Sequence, residues 1–154
     1  MVEFTDLRCR RCGEFETKVL PVIVKRYVRP GKLRFEQRTI ALGGPASLDP
    51  AAWAAAAARQ NRLYEFGDAY FRNSAEPPEA AASAAGLDVA AARRYATSLP
   101  ARRALARTSA QARDAGIVAP SFFISRSGGA QQPFPAKSLT PAAFTAVLDG
   151  LLRP

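Results

Sequence analysis

Two cysteines separated by two residues are the groups in this chain best suited to chemistry. They lie in Cys9-Arg10-Arg11-Cys12, and the 154-residue sequence has no third cysteine and no histidine. Two thiols at this spacing can close a small disulfide ring and reopen it by exchange with other thiols. The composition excludes a structural zinc site built from four Cys or His ligands, and it excludes catalysis by Ser-His-Asp or Cys-His groups. We expect no metal and no organic cofactor.

The residues around Cys9 favour its reactive thiolate form. A helical pattern opens at Cys9, and the free N–H groups at a helix N-terminus carry partial positive charge. Arg10 and Arg11 add two full positive charges nearby. Because a stabilised thiolate stabilises the reduced protein, these charges make the disulfide a better oxidant, by on the order of tens of millivolts. That shift alone does not distinguish an oxidase from an isomerase or a reductase.

The first elements position the cysteines. Residues 2–6 are typical of a short strand, and a helix is predicted from Cys9 to Val28, kinked at Pro21. Its apolar residues recur at three- and four-residue steps and include Cys12, so Cys12 is expected on the buried side. Residues 33–40 are predicted to form a second strand, parallel to the first.

The remaining pattern completes a fold. Residues 45–116 carry no strand signal, and a helix is predicted to begin there at Asp49-Pro50. Strands are predicted at 121–125 and 130–135, followed by a helix that ends at Leu152. This order predicts an α/β, thioredoxin-like fold with a four-stranded mixed sheet. Residues 1–44 and 117–154 would form the thioredoxin-like domain, and residues 45–116 an all-helical insertion.

Three segments resemble the DsbA-like thiol-disulfide oxidoreductases. The first is Val2-Glu3-Phe4-Thr5-Asp6 with the Cys-x-x-Cys motif, Phe15 and Leu20-Pro21 after it; the others are residues 63–71 and 116–124. The resemblance covers nearly the whole chain in the expected order. It implies that Pro120 is a cis-proline beside the disulfide and that Glu3 is a buried acid. The two arginines between the cysteines, and Ala119 before Pro120, depart from the common family pattern.

These matches suggest roles for the site residues. Cys9 would form a mixed disulfide with the substrate, and the less exposed Cys12 would resolve it. Glu3 would accept a proton from Cys12, although a surface glutamate at the start of an edge strand is the alternative. The Ala119 backbone beside Pro120 would bind an extended substrate, with Arg10 and Arg11 nearby. A trans-proline that starts a strand is the alternative at Pro120.

The leading hypothesis is a thiol-disulfide oxidoreductase that oxidises protein thiols, with a separate redox partner that resets Cys9-Cys12. Alternatives are a cytoplasmic reductase or isomerase on the same fold, an inert structural disulfide, a copper(I) site, and a basic non-enzymatic binding module suggested by the net charge of +9. We expect no nucleic-acid partner and no membrane span. The expected location is extracytoplasmic, with a leader absent from this chain, while a cytoplasmic location stays open. The oligomeric state is not determined.

Overall fold

The computed structural model describes residues 1–153, in which four short strands form one mixed sheet. The strands are β1 (Val2–Thr5), β2 (Glu36–Thr39), β3 (Ser121–Ile124) and β4 (Gln132–Pro133). Their order in the sheet is β2-β1-β3-β4, with β1 parallel to β2 and antiparallel to β3. The predicted α/β fold with a mixed four-stranded sheet is therefore confirmed, and β1 is a central strand.

A long helix over residues 10–28 follows β1 and carries the second cysteine. It consists of α1 (Arg10–Glu14), a π-helical turn (Phe15–Val19), α2 (Leu20–Ile23) and a second π-helical turn (Val24–Val28). Pro21 lies between the two π turns, and the N–H of Leu20 donates to the carbonyl of Phe15, five residues earlier. Wider turns on both sides accommodate the proline, which has no N–H for the normal helical ladder.

Five helices lie between β2 and β3 and form a helical block. They are α3 (Pro45–Arg59), α4 (Leu63–Arg72), α5 (Pro78–Ala84), α6 (Val89–Ala96) and α7 (Leu99–Asp114). The last helix of the chain, α8 (Pro141–Leu151), packs against α2. The helical insertion is confirmed as a feature of the fold, while its division from the rest at residues 45 and 116 stays a prediction. No helix of residues 1–153 is both long enough and apolar enough to span a membrane.

The predicted start of the first inserted helix at Asp49-Pro50 is wrong. The helix begins at Pro45, a proline at the first helical position, after Gly44 at a φ of +69°. Pro50 lies inside the helix and is buried. Proline has no N–H, so one helical hydrogen bond is lost, and the burial of the apolar ring offsets that loss. Asp49 pairs instead with Arg102, at 2.9 Å.

Separate apolar clusters hold the two parts of the chain. One cluster lies between the sheet, the long helix and α8, and the rings of Phe15, Phe122 and Phe144 meet there at centroid distances of 4.5–5.2 Å. Another lies inside the helical block around Trp53 and Phe66. Each part therefore buries its own apolar surface, and α1 contacts α4 of the helical block.

Candidate active site

Cys9 and Cys12 lie at the junction between β1 and α1, both as free thiols. Cys9 is the N-cap of α1 and is partly exposed, whereas Cys12 is fully buried, in agreement with the apolar stripe of the sequence. The Cys9 Sγ accepts the N–H of Cys12 at 3.3 Å. One of the free donors at the helix N-terminus therefore points directly at the exposed sulfur, an arrangement that stabilises negative charge there.

The tertiary fold brings the loop before β3 against this sulfur. The Cys9 thiol donates to the carbonyl oxygen of Ala119 at 3.3 Å, across 110 positions of sequence. The Ala119–Pro120 peptide bond is cis, and Val118 beside it is 65% exposed. Cys9, Cys12 and the Ala119–Pro120 segment thus form one site, in which Cys9, Ala119 and Pro120 are partly exposed.

Cys12 lies in surroundings that disfavour its ionised form. Burial raises the pKa of the Cys12 thiol most, and its hydrogen bond with Cys9 raises it further. The backbone of Asp6 and the hydroxyl of Thr5 lower the pKa by smaller amounts. In the reduced protein Cys12 therefore keeps its proton, and its reaction needs a group that can take that proton.

Glu3 lies in the central strand β1 and is fully buried, so the surface alternative for this residue is wrong. Gln37, its neighbour across the parallel strand, donates from Nε2 to Glu3 Oε2 at 3.3 Å. Oε1 accepts no hydrogen bond from any described residue. Burial raises the pKa of Glu3 well above its usual range, and the nearby Glu16 and Cys9 raise it further against the opposing effect of Gln37.

Glu16 is a second buried acid, which the sequence interpretation missed. Its side chain is 4% exposed and its Oε1 has no hydrogen-bond partner among the described residues. Burial, followed by the charge of Asp68, raises the pKa of Glu16 to about 8. The signal was present in the sequence, because Glu16 lies four residues after Cys12 and so on the same face of the helix.

Asp6 holds the loops of the site together. Its carboxylate accepts the N–H of Arg8 at 2.8 Å, of Leu42 at 2.7 Å and of Gly43 at 3.2 Å. Its carbonyl accepts the N–H of Cys9 at 2.9 Å. This single buried residue therefore ties the cysteine turn to the segment that follows β2.

The two arginines between the cysteines point into solvent. Arg10 pairs with Glu14 at 3.3 Å, and its side chain is 92% exposed. Arg11 is exposed and forms no ion pair with any of residues 1–153. Any effect of these charges on Cys9 therefore acts through space and is screened by solvent.

Comparison with known proteins places this site in a family. A family model described as Thioredoxin matches residues 1–149, whereas no curated protein sequence matches the chain. Among solved structures, alpha-DsbA1 of Wolbachia pipientis has a TM-score of 0.75 at 21% identity, covering 98% of this chain and 84% of that chain. BdbD of Bacillus subtilis has a TM-score of 0.76 at 14% identity, covering 99% and 86%. DsbA of Proteus mirabilis has a TM-score of 0.65 at 18% identity, covering 98% and 86%.

These similarities extend over almost the entire chain, including the helical block. At identities of 14–21% the solved structures establish a shared fold. The family model depends on sequence and spans both the cysteine motif and the Ala119–Pro120 segment. The chain therefore belongs to the thioredoxin family, and its fold is the DsbA-like form with a helical insertion.

Proposed function

We propose that this chain is a thiol-disulfide oxidoreductase that oxidises protein thiols through a Cys9–Cys12 disulfide. The observation that carries the proposal is the asymmetry of the two sulfurs. Cys9 is partly exposed at a helix N-terminus beside Ala119, whereas Cys12 is fully buried behind it. This asymmetry gives the two cysteines different tasks, since only an exposed sulfur can meet a substrate.

The reaction proceeds by two exchanges. A substrate thiolate attacks Cys9 Sγ of the disulfide form, the Cys9–Cys12 bond breaks, and Cys12 leaves with the electron pair. A second substrate thiolate then attacks the substrate sulfur of the mixed disulfide, which releases Cys9 as a thiolate. The substrate loses two electrons and two protons and gains a disulfide, and the protein ends as a dithiol. A separate redox partner would return it to the disulfide.

In this scheme Glu3 supplies the proton that Cys12 takes up when it leaves, and accepts that proton in the reverse direction. Three observations support this role: Glu3 is fully buried, its Oε1 has no hydrogen-bond partner among residues 1–153, and burial raises its pKa well above the usual range of a carboxyl. The charge of Cys9 contributes to that shift, so the pKa of Glu3 depends on whether the Cys9 sulfur is charged.

Substrate would bind along the backbone of the Ala119–Pro120 segment. The Ala119 carbonyl already reaches Cys9 Sγ, so an extended chain paired with this segment would place its own sulfur close to Cys9. A solved structure of Proteus mirabilis DsbA contains the non-covalently bound peptide PWATCDS, a precedent for a cysteine peptide on this fold. We also propose an extracytoplasmic location, where protein disulfides persist.

Trapping the intermediate tests the proposal. In the reduced Cys12→Ser variant, the Cys9 thiolate should attack a peptide disulfide, release one peptide half as a thiolate and keep the other half in a stable mixed disulfide, because no resolving thiol remains. The Cys9→Ser variant should form none, since Cys12 is buried. If both variants formed the mixed disulfide to the same extent, or if neither formed it, the assigned roles would be contradicted. The disulfide form of the unmodified chain should also oxidise a reduced two-cysteine protein.

The direction of electron flow is tested separately by the reduction potential of the pair. A potential well above that of cytosolic reductants supports the oxidase, and one near theirs supports the reductase alternative. Replacing Arg10 and Arg11 together with glutamine should lower the potential by roughly 10–40 mV, because the thiolate loses two screened positive neighbours. An unchanged potential would show that the helix N-terminus alone sets the redox properties of Cys9.

A further inference from the structure

A cleft of about 490 Å³ opens directly beside Cys9, between α1 and the end of α4. Cys9 itself forms part of the wall, together with the apolar side chains of Leu7 and Phe71. Consecutive residues of a chain are about 3.8 Å apart, so the neighbours of a cysteine bonded to Cys9 lie within reach of this cleft. The cleft can therefore influence which substrates react.

The charges along the cleft are unbalanced. Its charged lining residues are Arg8, Arg10, Glu14 and Lys18. The only carboxylate among them, Glu14, is paired with Arg10. Arg8 and Lys18 are exposed and form no ion pair within residues 1–153.

The facing helix does not neutralise these two cations. Phe71 is the residue of α4 that lines the cleft, and the acid of α4 closest to it in sequence is Asp68. Asp68 forms an ion pair with Arg72 of the same helix at 2.8 Å. Glu16, on the long helix, is buried. Glu76, two residues after the cleft residue Ser74, does not line the cleft. Within residues 1–153 the cleft lining thus presents two positive charges that no lining carboxylate pairs, next to the reactive sulfur, in a concave site where charges of one sign concentrate the field.

We propose that this cleft selects protein substrates whose reacting cysteine is flanked by acidic residues. The inference rests on the proposed function and adds a substrate class to it. Substrate carboxylates beside the cysteine would meet Arg8 and Lys18, whereas lysine or arginine at those places would be repelled. Two ion pairs of the strength usual at exposed sites would make the oxidation of a substrate with acidic flanks about fivefold faster than that of a neutral one.

The test compares three reduced peptides of equal length, each with two cysteines flanked by aspartate, asparagine or lysine. The disulfide form of the full chain is mixed with each peptide, and peptide oxidation is followed by mass spectrometry. The decisive quantity is the ratio of the aspartate rate to the asparagine rate, measured in the unmodified chain and in the Arg8→Gln/Lys18→Gln variant. Intrinsic differences between the peptide thiols are the same for both proteins and cancel.

The matched control is Arg94→Gln/Arg103→Gln, which removes from α6 and α7 two exposed arginines that lie outside the cleft and form no ion pair within residues 1–153. The cleft variant should lower the rate ratio about fivefold, and about 1 M salt should do the same to the unmodified chain because screening is then nearly complete. The control should keep the original ratio.

Two results would overturn the inference: an unchanged ratio in the cleft variant, or an equal fall in the control, which would assign the effect to net charge. If none of the peptides is oxidised, the proposed function itself fails. That outcome is distinct, because the inference concerns a ratio of measurable rates.

Discussion

The buried carboxyl of Glu16 should make the stability of this protein depend on pH in a specific way. Its pKa is raised from an ordinary 4.5 to about 8, chiefly by burial. A carboxyl whose pKa is raised on folding favours the folded state only while it stays protonated. Its contribution is therefore fully present below about pH 4.5 and is lost as the pH rises toward about 8, because the unfolded chain ionises first.

The size of the effect follows from the same two values. One pKa unit corresponds to about 1.36 kcal/mol, so titration of Glu16 removes about 3 kcal/mol of stability between roughly pH 5 and pH 8. The Glu16→Gln variant keeps the shape of the side chain and cannot ionise. At about pH 5 its free energy of unfolding should lie within about 1 kcal/mol of the unmodified chain, and at about pH 8 it should be higher by about 4 kcal/mol.

The assay is urea unfolding of the reduced protein at a series of pH values. The decisive quantity is the difference between variant and unmodified chain, in which the contributions of titrating groups that do not interact with Glu16 cancel. Glu76→Gln, at an exposed glutamate without an ion pair in the described chain, is the matched control for the loss of one carboxyl. If the Glu16→Gln and unmodified curves run parallel from pH 5 to pH 8, Glu16 is ionised in the folded protein and the reasoning is refuted.

Four further substitutions test the packing and the buried hydrogen bonds of the fold. Gly13→Ala would place a Cβ 2.8 Å from Phe71 Cδ1, so it should lower the free energy of unfolding in urea by about 1–3 kcal/mol. Its control, Gly150→Ala in α8, meets nothing within 4 Å and should stabilise the protein by about 0.5–1 kcal/mol. Equal effects of the two changes would contradict the close approach of α1 and α4. Phe144→Ala should cost about 3–5 kcal/mol by thermal or urea unfolding, because the ring is fully buried, and a loss below about 1 kcal/mol would contradict that burial. Ser109→Ala should lower the free energy of unfolding by about 1–3 kcal/mol, because the buried N–H of Ala41 loses its acceptor, Ser109 Oγ at 2.9 Å. Amide exchange at Ala41 should become faster, and an unchanged exchange rate would refute the prediction.

Local patterns in the sequence determined the elements that carry the motif. The three- and four-residue spacing of apolar positions predicted the long helix and the burial of Cys12, and the βαβ order predicted the parallel pairing of β1 with β2. These features depend on neighbours within a few turns, so periodicity reveals them. The start of α3 was misjudged because Pro45 and Pro50 are both acceptable first-turn residues, and only the burial of Pro50 decides between them.

Tertiary structure alone decided which distant groups meet at Cys9. The contact with Ala119 spans 110 residues, and the burial of Glu3 required β1 to lie between β2 and β3, which no local pattern specifies. The approach of Glu16 to Glu3 likewise depends on how the helix lies over the sheet. The sequence determined that two thiols stand at the start of a helix and that Cys12 lies on its apolar side. Only packing decided that buried carboxyls lie near the motif and that Cys9 opens onto a basic cleft. The physical reason is that charge and burial depend on all neighbours in space, most of which are remote in sequence.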